Sequence, residues 1–405
     1  MAMTGAGLAV APLLLSRLRL TDFRCYRGIE ARFEGRLVLI TGENGVGKTN
    51  LLEAISLLGP GRGLRGARGA EIGRRTEAGA LPWAAWGRFE RAGIIHEIGT
   101  GTAGEAGPCA VGDRAGATGR RRYRLDGEVV QSQAGLAEIA AAVWLTPQMD
   151  RLFQEGASGR RRFLDRLVWA LEPGHAREVA AHDTAMAGRN RLLSEGRRDA
   201  RWLAALEDAM ARHSVATVAA RRALAQRLNA ALEAGTATGA FPAARISLLC
   251  PIAAALDEAP ALAVEDDLRQ QLARSRARDA AAGGAAWGAH RTDLGIAHLP
   301  KALPAELCST GEQKALLVSV VLAHAALIGA ARGFAPLLLL DEVAAHLDLR
   351  RREALYAALI GLPAQVFLTG TEPDIFAPLQ GVAEGFRATS EGLVSLREYR
   401  VPNPA

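Results

Sequence analysis

The sequence predicts an α/β fold with a mixed N-terminal β-sheet, interrupted by an inserted α-helical lobe. Residues 36–58 read as an apolar strand, a glycine-rich loop and an amphipathic helix. Residues 160–233 are rich in alanine, leucine and arginine, with few helix breakers. After the glycine and alanine run at 280–286, strand-like and helix-like segments alternate again. The expected organisation is an N-terminal α/β part at 1–150, a helical lobe at 151–285 and a C-terminal α/β part at 286–405.

Residues 17–24 alternate apolar and charged side chains, as a half-buried strand does, and 28–33 offers a further strand. The run 36–41 ends in Gly42, after which Leu51, Leu52, Ile55 and Leu58 recur at helical spacing until Gly59-Pro60-Gly61 stops the helix. Glycine and arginine are frequent at 61–119, so hairpins and loops are expected there, with a strand at 83–89. In the lobe, Leu203, Leu206 and Met210, then Leu224, Leu228 and Leu232, define one apolar stripe on a helix at 201–234, about 50 Å long. Strands at 292–298, 337–340 and 365–369 then alternate with helices at 315–328 and 351–359.

Hydrophobic residues make up 49% and charged residues 23% of the 405, which excludes a long disordered or collagen-like chain. The longest apolar run reads as 336–340, far below the ~20 residues that cross a bilayer. Residues 8–15 lack the basic flank of a secretory signal, so a cytoplasmic protein is expected. Cys25, Cys109, Cys250 and Cys308 form no C-x-x-C pair, which argues against a disulfide framework or a zinc site. The net charge of +6 mildly favours a polyanionic partner. Of 49 basic residues only Lys48, Lys301 and Lys314 are lysine, and a compact ammonium kept at Lys48 marks that position.

Gly42-Glu43-Asn44-Gly45-Val46-Gly47-Lys48-Thr49 satisfies G-x-x-x-x-G-K-[ST] between the expected strand and helix. Its glycines let backbone amides approach phosphates, Lys48 reaches the β and γ phosphates, and Thr49 can ligate Mg²⁺. An incidental glycine-rich turn is the bland alternative. Leu337-Leu338-Leu339-Leu340 ends in Asp341, suited to the Mg²⁺ shell, and Glu342, suited to orienting and deprotonating a water, although strand-end acids also occur as solvated turns. In Cys308-Ser309-Thr310-Gly311-Glu312-Gln313-Lys314, Ser309 and Gly311 open an apolar helix and form either an anion site or a plain N-cap.

In this order, the phosphate loop, the STGEQ segment and the LLLLDE strand resemble the ABC-type P-loop ATPase heads of the SMC class, most nearly the RecF family of bacterial recombination mediators. The stretches at 18–26 (LRLTDFRCY), 161–165 (RRFLD) and 290–294 (HRTDL) carry the rest of the resemblance. The resemblance implies an ATP- and Mg²⁺-dependent homodimer with weak, DNA-dependent hydrolysis that binds single-stranded and gapped duplex DNA. It also implies RecA loading at gaps in replication and repair, together with RecR and RecO. Lys48, Asp341 and Glu342 would be catalytic, and Thr49, Asp341 and Gln148 would surround Mg²⁺. The nucleotide would also meet Arg24, Asn50 and Arg62, with Ser309, Gly311 and Asp348 completing the site across the dimer. An ATP-gated DNA scaffold that does not hydrolyse is the alternative.

Three positions depart from the family pattern: Asp22 replaces an asparagine, Ala289 a proline, and no histidine follows 367–370, which leaves the switch residue unassigned. Gln148 is either a sensor of Mg²⁺ and γ-phosphate or a turn residue. Asp348 is either part of a loop that communicates across the dimer or a helix N-terminal acid. Arg65, Arg68, Arg74 and Arg75, with Arg121 and Arg122 in a second cluster, are candidate DNA contacts, the alternative being solvated surface. Arg62 serves either DNA or nucleotide, and Arg160-Arg161-Arg162 is expected to be structural.

Overall fold

The computed structural model describes residues 10–67, 69–77, 79–102, 121–130, 133–196, 199–235, 241–396 and 399, so Arg68 and Cys109 lie outside the described residues. The chain divides into two units: 1–150 with 236–241 and 317–405, and 151–235 with 242–316.

The first unit holds two six-stranded sheets. The N-terminal one is antiparallel, in the order Glu128–Val130, Arg122–Leu125, Ile94–Gly101, Ala84–Arg91, Leu14–Phe23, Tyr26–Arg32. The other runs Ala142–Leu145, Leu337–Leu340, Val366–Gly370, Leu37–Thr41, Glu384–Ala388, Leu393–Leu396, with only the last strand antiparallel to its neighbour. Leu37–Thr41, Leu337–Leu340 and Val366–Gly370 are buried throughout, which is why they read as apolar runs without alternation. Their parallel pairing sets three carboxyl ends side by side, the edge at which α/β sheets build ligand sites.

The helix Thr310–Arg332 corrects the apolar-run estimate. By length and composition it could cross a membrane, with a mean hydropathy of 1.9 over its most apolar stretch, but 78% of that stretch is buried within the protein. Ser319 and His324 interrupt the run in sequence, yet both are buried with the rest. It is a core helix.

The second unit contains six α-helices among its described residues, the longest being Ala200–Glu233. Asp199 caps that helix by accepting from the amides of Arg201 and Trp202. Leu203, Met210, Leu224, Leu228 and Leu232 are buried along it, and Leu206 packs partly buried against the core. Ala244–Leu249 pairs antiparallel with Asp293–His298. That pairing binds the segment after 285 to the helices, and the unit continues to residue 316.

The RRFLD and HRTDL stretches meet inside this unit. Asp165 accepts from Arg221 at 2.7 and 2.8 Å and pairs with His175 Nε2 at 2.8 Å, while Arg160 grips Asp293 through two bonds of 2.7 Å. Arg221 also donates to the Ala289 carbonyl, and Arg161 to the Thr292 carbonyl. Arg160, Arg161, Asp165 and Asp293 thus clasp two distant stretches of chain.

Candidate nucleotide site

The phosphate loop leaves the buried strand Leu37–Thr41 and enters the helix Lys48–Leu58. Gly47 has φ 115°, and a Cβ there would lie 2.3 Å from the Tyr26 hydroxyl and 2.7 Å from Cys25 Sγ, so only glycine fits. Tyr26 donates to the Val46 carbonyl at 3.3 Å, and Asn50 Nδ2 reaches Cys25 Sγ at 3.1 Å. The N-terminal hairpin therefore braces the loop, a role for Cys25 and Tyr26 that no local pattern reveals. Burial raises the Tyr26 phenol pKa far above its ordinary value, which keeps it a neutral donor.

Lys48 is 5% exposed, and its ammonium donates to the carbonyls of Gly42 at 2.7 Å and Glu43 at 3.1 Å. Glu342 Oε1 lies 3.1 Å from it. Thr49 Oγ1 donates to Asp341 Oδ2 at 2.8 Å across 292 positions of sequence. Thr369 donates to Asp341 Oδ1 at 2.8 Å and accepts from the Glu342 amide at 3.0 Å. Thr49 and Asp341 offer a hydroxyl and a carboxylate side by side, and this all-oxygen donor set fits Mg²⁺ completed by phosphate oxygens. Thr369 was missed in sequence because a threonine near a strand end carries no distinguishing signal.

Gln148 is exposed on the short helix Pro147–Arg151, directly after the strand Ala142–Leu145. The Asp341 amide donates to the Leu145 carbonyl at 2.9 Å, so Gln148 lies near the sheet end that carries the carboxylates. Arg24, at φ 53°, bonds Glu53 at 2.6 and 2.8 Å and the Glu71 carbonyl at 2.7 Å. Arg65 joins the same Glu53 at 2.8 Å and Asn50 at 2.7 Å. Glu53 is 1% exposed and holds two arginines beside the loop helix. An acid within the apolar sequence Leu51-Leu52-Glu53-Ala54-Ile55 was the one signal available for it.

The arginines expected to meet DNA divide. Arg121 turns inward, donating to Thr100 Oγ1 at 2.8 Å and the Gly61 carbonyl at 2.7 Å, and also to the Leu57 carbonyl. It stacks on Tyr123 at 4.4 Å, and burial lowers its pKa to about 10. It ties down the end of the loop helix, with all three of its side-chain nitrogens engaged inside the protein, a role the sequence reading did not give it. Arg65 is held by Glu53, and Arg74 by Asp22 at 2.7 Å. Arg62, Arg75 and Arg122 are exposed.

In the second unit, Ser309 opens the helix Thr310–Arg332 with a reciprocal capping pair: its amide donates to Glu312 Oε2 at 3.0 Å, and the Glu312 amide meets Ser309 Oγ at 3.4 Å. Lys301 reaches Glu312 at 2.5 Å and, with Ser309, holds its carboxyl down at about 2. Gly311 lies in the first turn of that helix. In the first unit, Asp348 caps the helix Leu349–Gly361 by accepting from the Arg351 amide at 2.9 Å. Ser309 and Asp348 both remain exposed.

A family model described as the RecF/RecN/SMC N-terminal domain matches residues 14–387. A protein of Mesorhizobium japonicum, named DNA replication and repair protein RecF, is 47% identical over 384 residues, covering 95% of this chain and 98% of that one. The recombination mediator protein RecF-ATPrS of the RecFOR pathway superposes with TM-score 0.80 at 20% identity, over 96% of this chain and all of that one. The ATP form of RecF from that pathway gives 0.77 at 21%, over 95% of this chain and 100% of the other. The fold is therefore that of RecF, and the chain belongs to the RecF/RecN/SMC N-terminal domain family, within it to the RecF proteins of DNA replication and repair.

Proposed function

We propose that this protein is an ATP-dependent, DNA-binding recombination mediator that promotes RecA loading at gaps in replication and repair. The observation that carries the reading is the meeting of Lys48, Thr49, Asp341 and Glu342 at the carboxyl ends of adjacent parallel strands. ATP seats its phosphates on the loop amides, and the Lys48 ammonium exchanges its carbonyl partners for phosphate oxygens. Thr49 and Asp341, with Gln148 nearby, would hold Mg²⁺, which neutralises charge on the β and γ oxygens when bound. Glu342 takes the proton of the attacking water, giving a weak ATPase stimulated by DNA.

Ser309, Gly311 and Asp348 serve the partner subunit's nucleotide, so that ATP closes a homodimer and ADP releases it. Exposed Arg75 and Arg122 track the DNA backbone near single-strand/double-strand junctions, and Arg24 and Arg62 flank the nucleotide. RecO and RecR are the partners, and the cytoplasm is the location. The Lys48–Glu342 pair engages the base itself, which keeps a second reading in play, an ATP-gated scaffold without turnover.

Sedimentation with ATP and Mg²⁺, with ADP, and with gapped DNA tests the proposal. Dimers are expected with ATP alone and with ATP plus DNA, and monomers with ADP. Ser309→Arg should bind ATP as a monomer and fail to dimerise. A variant that dimerises as the parent does would make Ser309 a cap only, and a dimer without phosphate release would favour the scaffold.

A further inference from the structure

We infer that Thr369 is a positioning residue that sets the Asp341 and Glu342 carboxylates for their separate tasks; this deepens the proposed ATP and Mg²⁺ reading and rests on it. Thr369 lies on the strand Val366–Gly370, between the strand that bears the phosphate loop and the strand that bears the carboxylates, and it is fully buried. A hydroxyl has one proton. Thr369 gives it to Asp341 Oδ1 at 2.8 Å, which leaves the lone pairs of its oxygen to accept the Glu342 amide at 3.0 Å. One side chain thereby fixes a carboxylate on one residue and the backbone of the next.

Both consequences bear on the chemistry. With Oδ1 held by Thr369, Asp341 turns Oδ2 toward Thr49 at 2.8 Å, the pair that would hold Mg²⁺. An outer hydrogen bond of this kind orients a metal carboxylate. Glu342 has φ 52°, a left-handed backbone that a non-glycine residue adopts at a cost and keeps only when its surroundings hold it there. The hydrogen bond from its backbone amide to Thr369 Oγ1 supplies that hold, while its carboxylate lies 3.1 Å from Lys48. Threonine suits the place because its β-branched side chain is stiff in a strand. Gly370 follows, where a Cβ would lie 2.5 Å from the Phe376 ring, so the strand end itself has little room to shift.

The test is the affinity of the full-length protein for a fluorescent ATP analogue, measured as free Mg²⁺ is varied, for the parent, Thr369→Ser and Thr369→Val. The valine variant is expected to keep the parent's affinity in excess EDTA within about twofold and to need about 10- to 100-fold more Mg²⁺ for half of the metal-dependent gain. Serine, which keeps the hydroxyl, should restore the parent's midpoint. A residue that merely fills the core would shift thermal stability with and without Mg²⁺ alike and leave the midpoint in place. That result overturns the inference. If the valine variant does not fold, Thr369→Cys keeps the volume with a far weaker donor and carries the same comparison. A parent whose nucleotide affinity ignores Mg²⁺ would overturn the nucleotide reading itself, whereas a responsive parent with an equally responsive valine variant overturns only the role of Thr369.

Discussion

In the second unit Arg189 is fully buried and spends its guanidinium on Glu207 at 3.0 Å, Asp279 at 2.9 Å and the Leu272 carbonyl at 2.7 Å. In the first unit Lys48 is nearly as deep, yet it rests on two carbonyls of a glycine loop and on a glutamate with a left-handed backbone. Around Arg189 the ions are locked further: Arg276 also bonds Glu207, and Ser275 bonds Asp279 at 2.7 Å. Removing one member of such a network leaves an uncompensated charge in the interior, so its value lies in specifying how the helices pack. The partners of Lys48 are groups that a phosphate can replace. A buried cation with fixed partners holds a fold, and one with exchangeable partners binds a ligand.

Five variants and a pH titration can break or sharpen this contrast. Lys48→Met should abolish ATP-analogue binding while the melting temperature of the nucleotide-free protein stays near the parent's; retained affinity would end the phosphate-loop assignment. Glu342→Gln should keep ATP bound and lower phosphate release by roughly 10²- to 10⁴-fold, accumulating the ATP dimer. Normal hydrolysis would place the base elsewhere.

Arg189→Met should show the opposite profile, costing about 3–5 kcal/mol in urea unfolding with nucleotide affinity per folded molecule unchanged. If it weakens ATP binding without lowering stability, the two kinds of buried cation do not differ as described. Arg121→Met should cost about 1–3 kcal/mol, since it strips a donor from the Leu57 and Gly61 carbonyls. It should leave the salt dependence of DNA binding alone, whereas Arg75→Ala with Arg122→Ala should flatten the log-log slope by up to ~0.9 per lost phosphate contact.

The smallest effect is in pH. Burial, then His182 and the Arg291 and Arg161 charges, lowers His290 to about 4 against an ordinary 6.5. The unfolded chain therefore binds the proton more readily between those values. Stability is full above pH 6.5 and falls as pH drops toward 4. His290→Gln should reduce that slope in pH-dependent unfolding, and an unchanged slope would assign it to other groups.

The phosphate loop, the LLLLDE strand and the long helix Ala200–Glu233 were legible because each is written locally. Glycine at positive φ, an unbroken apolar strand and a stripe at three- and four-residue spacing are constraints between near neighbours in sequence. The helix Thr310–Arg332 was underestimated because Ser319 and His324 are polar in sequence, although packing buries both. Arg121 and Arg122 are adjacent and chemically identical, yet one caps a helix and the other is exposed. Only the pairing of Arg122–Leu125 with Ile94–Gly101 decides which of them faces inward.

The sequence by itself determined that a glycine loop between strand and helix, a buried strand ending in two carboxylates and a helical insert exist. Tertiary structure decided that Thr49 meets Asp341 from 292 positions away, that Glu53 gathers Arg24 and Arg65, and that Thr369 stands between the carboxylates. Backbone and periodicity preferences act over a few residues, whereas the partner of a buried polar group is set by strand order and register, which no short window of sequence contains.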